Sequence, residues 1–255
     1  MYKFFKRLMD ILVAGLFLII LSPVFLVLAI VVRINLGGPV IFKQARIGKN
    51  GKIFNFYKFR SMSNAKDENG ILLPDAERHT KFGKLLRKTS LDELPQLWNI
   101  LKGDMSLIGP RPKVAKDMML FTKYYYGADV RPGITGYNQA YSRNNTTWTK
   151  RLEDDNYYVR NMSLWLDIKI VFKTIATVLS RTAVDKEKYF YYADEMLDKK
   201  HITQNEYDYV MLKAREIDAK CALGEKLNIK DYMFCNDRDM PVVAEVKEYK
   251  DTKSA

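Results

Sequence analysis

Cysteine and histidine are scarce in this chain of 255 residues, which contains two of each. Cys221 and Cys235 have a spacing that matches no metal motif, and one pair does not make a disulfide framework, so the cysteine usage is typical of a reducing compartment. With His79 and His201 alone, a histidine-based zinc site or a Ser-His-Asp triad is not expected. Walker and G-x-G-x-x-G loops are also lacking, which excludes the usual nucleotide cradles.

Basic residues outnumber acidic ones, with 42 Lys and Arg against 30 Asp and Glu, and the net charge is +12. Residues 185–255 carry 13 basic and 16 acidic side chains, so residues 1–184 carry a net charge of +15. An excess of this sign favours polyanionic partners, namely phosphorylated substrates, anionic lipid or nucleic acid. We therefore expect the functional part of the chain to lie within the first 184 residues.

A run of 22 residues without charge extends from Ile11 to Val32. At about 1.5 Å per residue, a helix of this length could cross a hydrocarbon layer about 30 Å thick. A signal peptide is less favoured because the run is long and no small-x-small cleavage site follows it. Pro23 removes a backbone donor near the middle of the run, and Ser22 can hydrogen-bond a backbone group freed by the break. The run is thus either a kinked spanning helix or a re-entrant one.

Basic residues on both sides of this run favour the re-entrant form. By the positive-inside rule both flanks belong in the cytoplasm, and a straight span cannot place both of them there. A helix that breaks at Ser22 and Pro23 and returns to the side from which it entered satisfies both flanks. The basic residues are Lys3, Lys6 and Arg7 before the run and Arg33, Lys43, Arg46, Lys49 and Lys52 after it.

Strand and turn signals follow the apolar run. Val40–Phe42 and Ile53–Tyr57 flank the turn pair Asn50-Gly51, and they predict a small β-hairpin that is basic along its length. Further along the chain lie two proline-rich turns, Gly109–Pro112 and Arg131–Gly136. Each turn fixes a backbone bend and presents an arginine from it.

Three later segments have helical patterns. The first runs from about Ser90 to Lys102 and ends at Gly103. The second, Leu164–Leu179, is strongly amphipathic, and its apolar face either packs against a core or lies along the headgroup plane of a membrane. The third begins with the capping box Thr203–Glu206 and predicts a C-terminal helical hairpin that serves packing or oligomerisation.

These elements define the expected organisation. The predicted fold class is α+β and membrane-associated. It comprises a re-entrant broken helix over residues 1–36 as anchor and a cytoplasmic domain over residues 37–184, with the small β-hairpin and an interfacial amphipathic helix. An accessory helical tail covers residues 185–255.

The segment Arg87–Asn99 contains the side chains best suited to chemistry. Asp92 and Glu93 are adjacent acids within it, and acids in a first helical turn are favoured by the helix dipole. In one structural interpretation Ser90 and Glu93 form a capping box. In another, Asp92 is the cap, since Pro95 fits most easily into a first turn. Either interpretation makes the acidic pair a marker of a helix start.

The basic surroundings of the acidic pair favour a functional interpretation instead. Adjacent carboxylates in a positive field suit phosphoryl chemistry, because Mg²⁺ binds carboxylate and phosphate oxygens and cations stabilise the charge on the transferring group. A carboxylate can also attack phosphorus itself and form an acyl phosphate. The cations around the pair are Lys58, Arg60, Arg87, Lys88, Arg111 and Arg131.

Residues 3–182 resemble a known family, the bacterial monotopic sugar-phosphate transferases. These enzymes are also called small polyprenyl-phosphate phosphoglycosyl transferases. The resemblance depends on blocks that occur in the same order after an apolar anchor. One departure lies after Gly136, where Ser142 replaces a glycine that is common in the family beside Arg143, so no sugar preference is carried over. The matching blocks are Ser22-Pro23, Lys58-Phe59-Arg60-Ser61-Met62, Leu91-Asp92-Glu93-Leu94-Pro95-Gln96, Gly103-Asp104-Met105-Ser106, Gly109-Pro110-Arg111-Pro112, Arg131-Pro132-Gly133-Ile134-Thr135-Gly136 and Trp165-Leu166-Asp167-Ile168-Lys169.

The resemblance implies an enzyme that transfers a sugar 1-phosphate from a UDP-sugar to undecaprenyl phosphate and releases UMP. It implies that Asp92 is a covalent nucleophile with Glu93 as its partner, that Mg²⁺ is required and held by these two carboxylates, and that the chain is anchored in the bacterial inner membrane on its cytoplasmic face. The resemblance further implies that the lipid of this membrane is a partner and that nucleic acid is not. It is compatible with a homo-oligomer. The substrate-binding side chains implied in the same way are Lys58, Arg60, Arg87, Arg111, Arg131 and Arg143.

A second hypothesis remains open from the residues alone. In it the chain is a non-enzymatic, membrane-tethered basic module that binds anionic lipid or nucleic acid, and Asp92 and Glu93 are helix caps. This hypothesis predicts that Asp92→Asn leaves function intact and that binding falls steeply with salt. The enzymatic hypothesis predicts that UMP release is lost in the same variant.

Overall fold

The computed structural model describes residues 2–68, 73–120, 127–142, 147–179 and 192–232. Helices and short paired strands make up the described chain, in agreement with the α+β prediction. Strand β1 pairs with β2, and β3 pairs with β4. The helices are α1 (Tyr2–Ile20), α2 (Ser22–Leu36), α3 (Asp75–Arg78), α4 (Lys81–Lys88), α5 (Gln96–Lys102), α6 (Ala115–Met118), α7 (Tyr137–Tyr141), α8 (Trp148–Asn161), α9 (Leu164–Leu179), α10 (Tyr192–Asp198) and α11 (Gln204–Ala222), and the strands are β1 (Ile41–Ile47), β2 (Ile53–Phe59), β3 (Ser106–Ile108) and β4 (Gly133–Thr135).

The chain divides into two compact units that do not follow its linear order. Unit 1 contains Met1–Lys6, Ala45–Asn55 and Asp104–Ala255. Unit 2 contains Arg7–Gln44 and Phe56–Gly103. Each unit has a hydrophobic core of its own, and the acidic pair belongs to unit 2.

Helices α1 and α2 are separated at Leu21 and meet at an angle of 63°. Pro23 lies in the first turn of α2, where its missing N–H would have no partner in the helix. The Ser22 hydroxyl donates a hydrogen bond of 2.8 Å to the carbonyl oxygen of Ile19. The interruption therefore coincides with the Ser-Pro pair. Within the described residues, no single helix is long and apolar enough to cross a membrane, whereas the bent pair passes that test when taken together.

The core of unit 2 holds the acidic segment in place. Val32 and Leu36 of α2 pack with Phe59 of β2 and Leu86 of α4. Leu91 and Leu94, which flank the acidic pair, pack against this cluster. Burial of these leucines fixes the backbone on both sides of Asp92 and Glu93.

The turn between β1 and β2 has the backbone that the sequence predicts. Asn50 has φ 59° and Gly51 has φ 79°, so two successive residues adopt left-handed conformations. Asparagine followed by glycine is the pair best suited to such a turn. Both strands are longer than the predicted Val40–Phe42 and Ile53–Tyr57, and each has seven residues.

The core of unit 1 includes the C-terminal helices. Tyr192 of α10 lies with its ring 5.8 Å from that of Trp148 in α8. Val210 and Ile217 of α11 are buried in the same cluster as Met119 and Leu152. The predicted capping box is confirmed, with Thr203 and Glu206 bonding reciprocally at the start of α11. The described part of the tail thus packs into the core of unit 1.

The two proline-rich turns of unit 1 lie side by side. Strands β3 and β4 are parallel, with Ser106 opposite Gly133 and Ile108 opposite Thr135. A Cβ atom on Gly133 would lie 2.1 Å from the backbone nitrogen of Gly109, so no other residue fits at this contact. This close approach holds the two arginine-bearing turns together.

Helix α9 has the predicted bounds, and its apolar face is exposed. Asp167 and Ile170 are buried on its inner side. Trp165 and Phe172 are 65% and 69% exposed. Packing of this face against a core, one of the two alternatives, does not occur among the described residues. The other exposed members are Leu164, Ile168, Val171 and Ile175.

Candidate active site

The acidic pair lies in a short 3₁₀ helix, Leu91–Glu93, between α4 and α5. Ser90 precedes it in a left-handed conformation, with φ 55° and ψ 17°. Leu94 and Pro95 then have helical dihedrals and lead into α5. Gly103 ends α5 in a left-handed conformation, as predicted. The expected helix from Ser90 to Lys102 is therefore a 3₁₀ turn that continues into a shorter α-helix.

Both capping interpretations of the acidic pair are wrong in this structure. The Ser90 side chain makes no capping hydrogen bond, because its backbone is left-handed rather than extended as in a capping box. Asp92 is inside the 3₁₀ helix, and Pro95 occupies the N-cap position of α5. The two carboxylates are thus not explained as helix caps.

Asp92 is a buried carboxylate, with 6% of its surface exposed. Burial, and then the neighbouring charge of Glu93, raises the pKa of Asp92 above its usual range. Lys58 and Arg87 act in the opposite direction on this pKa, and so does a hydrogen bond that the carboxylate accepts from its own backbone N–H. A poorly hydrated carboxylate with cations nearby is suited to nucleophilic attack on a phosphorylated substrate.

Arg87 stands in the last turn of α4, next to the acidic pair. Its Nε donates a hydrogen bond of 2.9 Å to the hydroxyl of Ser61. Its Nη1 lies 3.4 Å from Nε2 of His79. Lys58 of β2 has its Nζ 5.1 Å from the centre of the Phe42 ring. Two of the predicted substrate-binding cations are thus gathered with Asp92 in unit 2.

Arg60 is also in unit 2, but its guanidinium is buried. Its Nη1 donates a hydrogen bond of 2.6 Å to the carbonyl oxygen of Gly38. Burial, and then the charge of Arg78, lowers the pKa of Arg60. This side chain holds the turn that follows α2, a role that the sequence does not indicate.

The remaining predicted arginines belong to unit 1 or lie outside the described residues. Arg111 follows β3, and Arg131 precedes β4. The paired proline-rich turns carry these two side chains. Arg143 lies outside the described residues.

The sequence analysis did not single out two buried amides of α5. Gln96 and Asn99 are 1% and 0% exposed. The Oδ1 of Asn99 accepts a hydrogen bond of 3.1 Å from the backbone N–H of Tyr57. The Nε2 of Gln96 has no hydrogen-bond partner among the described residues. The signal that could have found them is their spacing of four and seven residues from Asp92, which marks a polar face on a helix that is otherwise largely apolar.

Two carboxylates could contribute to a metal site. Within the described ranges, no group of three or more His, Cys, Asp or Glu side chains is arranged to hold a metal ion. Mg²⁺ is usually bound by one or two carboxylates, with substrate phosphates and water completing its six positions. Asp92 and Glu93 fit such a partial site, because the charge of each destabilises the other in the absence of a cation.

The sequence pattern that defines the bacterial sugar transferases matches residues 1–181 of this chain. The chain belongs to this family. It is therefore a transferase, and the hypothesis of a non-enzymatic module is wrong. The matched range contains the acidic pair, Arg87 and both proline-rich turns.

Three relatives illustrate the similarity. An uncharacterized sugar transferase, EpsL, of Bacillus subtilis is 49% identical over 176 residues, which cover 68% of this chain and 87% of the relative. The UDP-N-acetylgalactosamine-undecaprenyl-phosphate N-acetylgalactosaminephosphotransferase of Aeromonas hydrophila is 44% identical over 188 residues, 70% of this chain and 44% of the relative. The UDP-glucose:undecaprenyl-phosphate glucose-1-phosphate transferase of Klebsiella pneumoniae is 44% identical over 182 residues, 67% of this chain and 39% of the relative.

These relatives differ in length and in the sugar they are named for. The chain spans less than half of the Aeromonas and Klebsiella proteins but most of the Bacillus protein. The Aeromonas and Klebsiella proteins are named for different sugars, although each is 44% identical to this chain. Overall similarity therefore does not identify a sugar.

Proposed function

We propose that this protein transfers a sugar 1-phosphate from a UDP-sugar to undecaprenyl phosphate and releases UMP, as the first membrane step in the synthesis of a surface glycan or glycoprotein. The observation that carries the proposal is Asp92, a buried carboxylate beside Glu93 with Lys58 and Arg87 close enough to influence its pKa. The names of the Aeromonas and Klebsiella relatives supply the two substrates.

The proposed reaction has two displacement steps at one phosphorus atom. In the first, an oxygen of Asp92 forms a bond to the phosphorus that bears the sugar, and the bond from that phosphorus to UMP breaks. In the second, an oxygen of undecaprenyl phosphate attacks the same phosphorus, and the bond to Asp92 breaks. The carboxylate is thereby restored, and UMP leaves before the lipid is needed, so the two substrates need not occupy the site together.

The cations of unit 2 have distinct parts in this scheme. Arg87, which the Ser61 hydroxyl orients, stabilises negative charge on the transferring phosphoryl group. Lys58 favours the ionised form of Asp92, because its charge lowers the pKa of that carboxyl. Asp92 and Glu93 would hold Mg²⁺, whose positive charge would offset that of the substrate phosphates.

A membrane location follows from the lipid substrate and from the exposed apolar surfaces. Helices α1 and α2 expose large apolar side chains along their length, as does one face of α9. Surfaces of this kind are stable when they are inserted into a bilayer or lie at its interface. We place α1 and α2 in the cytoplasmic leaflet of the inner membrane as a re-entrant anchor, with α9 along the interface.

The topology can be tested separately from the chemistry. A single cysteine in place of Lys3, in a chain whose two native cysteines are replaced, should react with a membrane-impermeant maleimide only from the cytoplasmic side. Labelling from the periplasm would exclude the re-entrant anchor and would leave the proposed reaction untouched.

The reaction is tested by measuring UMP release from a panel of UDP-sugars with undecaprenyl phosphate and Mg²⁺. We expect one or a few donors to give UMP and a lipid-linked sugar diphosphate in equal amounts. The control is Asp92→Asn, purified in the same way and shown to be folded. Wild-type protein that releases no UMP from any donor in the panel, or Asp92→Asn protein that releases it at the wild-type rate, would contradict the proposal.

A further inference from the structure

A polar face extends along the helical run that begins at Asp92. The 3₁₀ helix, the helical residues Leu94 and Pro95, and α5 form one continuous run as far as Lys102. Asp92, Gln96 and Asn99 are all buried, whereas Trp98 is 54% exposed, so the three polar side chains lie on the inner side of this run. Gln96 follows Asp92 by four residues on this inner side, and Asn99 follows Gln96 by three.

Gln96 has a hydrogen-bond donor that the fold does not use. The side chain is 1% exposed, and its Nε2 has no acceptor among the described residues. A buried amide donor without an acceptor is unfavourable and uncommon in native proteins. Asn99 differs in this respect, since its Oδ1 is bonded to the backbone of β2 at Tyr57.

Asp92 provides an acceptor at the matching position. An ionised carboxylate has two oxygens with about four lone-pair sites, and Asp92 accepts a hydrogen bond from its own backbone N–H. Long side chains on a helix lean toward its N-terminus and cover the residue four positions earlier. The amide of Gln96 is thus on the side of the helix from which it can reach the carboxylate of Asp92.

We propose that Gln96 is a positioning residue that donates a hydrogen bond from Nε2 to the carboxylate of Asp92 during turnover. One oxygen of Asp92 is held by this bond while the other forms the bond to phosphorus. The inference rests on the proposed aspartyl chemistry and adds the group that orients the nucleophile.

The same hydrogen bond serves both displacement steps. When the acyl phosphate forms, the oxygen held by Gln96 becomes the carbonyl oxygen of the mixed anhydride and remains an acceptor. When the lipid phosphate displaces Asp92, negative charge returns to the carboxylate, and a fixed donor stabilises that charge. Loss of the donor should therefore slow the chemical steps without weakening the binding of the UDP-sugar.

The test compares two variants at position 96 with a control in the same helix. Gln96→Leu removes the donor and keeps the approximate volume, and Gln96→Glu keeps the shape and, when ionised, offers acceptors only. Ile100→Val is the control, because it removes one methylene from a buried side chain of α5 and changes no polar group. The measurements are single-turnover UMP release with donor alone, kcat and KM for the UDP-sugar, and the midpoint of thermal unfolding. Gln96→Met replaces Gln96→Leu if the latter does not fold.

We expect kcat and the single-turnover rate to fall by about 10- to 100-fold in both Gln96 variants, with KM for the UDP-sugar within about two-fold of wild type. Ile100→Val should lower the unfolding midpoint and leave both rates unchanged. Rates in the Gln96 variants that equal those of Ile100→Val at the same unfolding midpoint would overturn the inference. A raised KM at unchanged kcat would also overturn it, since the amide would then contact the substrate.

Failure of this inference can be distinguished from failure of the proposed function. Wild-type protein that forms no phosphosugar adduct on Asp92 would refute the aspartyl chemistry itself. A wild-type adduct together with full rates in the Gln96 variants would refute only the positioning role.

Discussion

Asp155 and Asp167 of unit 1 and Asp92 of unit 2 are buried carboxylates with different surroundings. Asp155 of unit 1 forms an ion pair of 3.0 Å with Lys113. Asp167 accepts hydrogen bonds from Lys6 at 2.6 Å and from Tyr158 at 2.8 Å. Asp92 of unit 2 is buried to a similar degree, but the charge with the largest effect on its pKa is the like charge of Glu93, ahead of the opposing charges of Lys58 and Arg87.

This difference separates a structural carboxylate from a reactive one. Transfer of a carboxylate out of water is unfavourable unless hydrogen bonds and opposite charges replace the lost hydration. In Asp155 and Asp167 these partners are specific donors at short range, so the carboxylate is fixed in place. For Asp92 the lost hydration is replaced only in part, so the negative charge of its carboxylate is available to a substrate or a cation.

The largest effect that the comparison predicts is on catalysis at Asp92. Asp92→Asn should reduce UMP release at least about 1,000-fold, because an amide cannot form the acyl phosphate. Its unfolding midpoint should not fall, since the change removes a charge that burial disfavours. UMP assays and thermal unfolding of the same preparation check both parts. Substantial residual activity of Asp92→Asn, or a large loss of its stability, would show that Asp92 does not differ from the structural carboxylates Asp155 and Asp167.

The opposite result is predicted for Asp155. Asp155→Asn leaves the Lys113 ammonium buried without its ionic partner, which typically costs about 3–5 kcal/mol of stability. The activity per folded molecule should stay close to that of wild type, because Asp155 holds the structure and takes no part in the reaction. Chemical unfolding in detergent, with activity normalised to the folded fraction, measures the two effects. A loss of kcat without a loss of stability would contradict this assignment.

A smaller and pH-dependent effect is expected at Asp117. Its carboxylate accepts hydrogen bonds from the backbone N–H groups of Tyr192 and Ala193 at the start of α10. Burial raises the pKa of Asp117 to about 6. Because the folded state then binds a proton more tightly than the unfolded state, the free energy of unfolding should rise as the pH falls from 7.5 to 5.

The contribution of Asp117 to that rise should be about 1.4 kcal/mol, because only about one pH unit of this range lies below its pKa and each unit contributes 1.36 kcal/mol. Asp117→Asn should show a correspondingly flatter dependence of unfolding on pH. Equal pH dependence in wild type and variant would show that Asp117 does not titrate in this range.

The smallest predicted effect is a shift in the pH dependence of catalysis. Since the pKa of Asp92 is raised, UMP release should be lost on the acid side at a pH above the usual range for aspartate. Lys58 lowers this pKa, so Lys58→Met should move the acid limb to still higher pH. Lys84→Met, on the exposed side of α4, is the control and should leave the limb unchanged. An acid limb that does not move in Lys58→Met would contradict the electrostatic role of Lys58.

Local patterns predicted the local structure well. The amphipathic period gave the bounds of α9, and Gly103 and the pair Asn50-Gly51 have the left-handed backbone expected of them. The block around Asp92 led to the family and to the candidate nucleophile. In each of these cases the deciding interactions lie within a few residues along the chain.

The parts that could not be predicted depend on contacts distant in sequence. Ser90 adopts φ 55° although it is not glycine, because Leu86 on one side and Leu91 on the other are packed into the same core. The pattern of α11 shows that one face is buried, but it does not show that the face joins a core with Trp148 and Leu152. The unused donor of Gln96 likewise becomes visible only when its neighbours are known.

The central claim is that Asp92 becomes covalently bonded to phosphorus during turnover, and mass spectrometry tests it most directly. Wild-type protein is incubated with the UDP-sugar in the absence of undecaprenyl phosphate, quenched under conditions that preserve acyl phosphates, and digested. We expect a peptide containing Asp92 whose mass is increased by one sugar phosphate, and loss of this adduct when the lipid phosphate is added. An unmodified Asp92 peptide from enzyme that releases UMP in the same tube would contradict it.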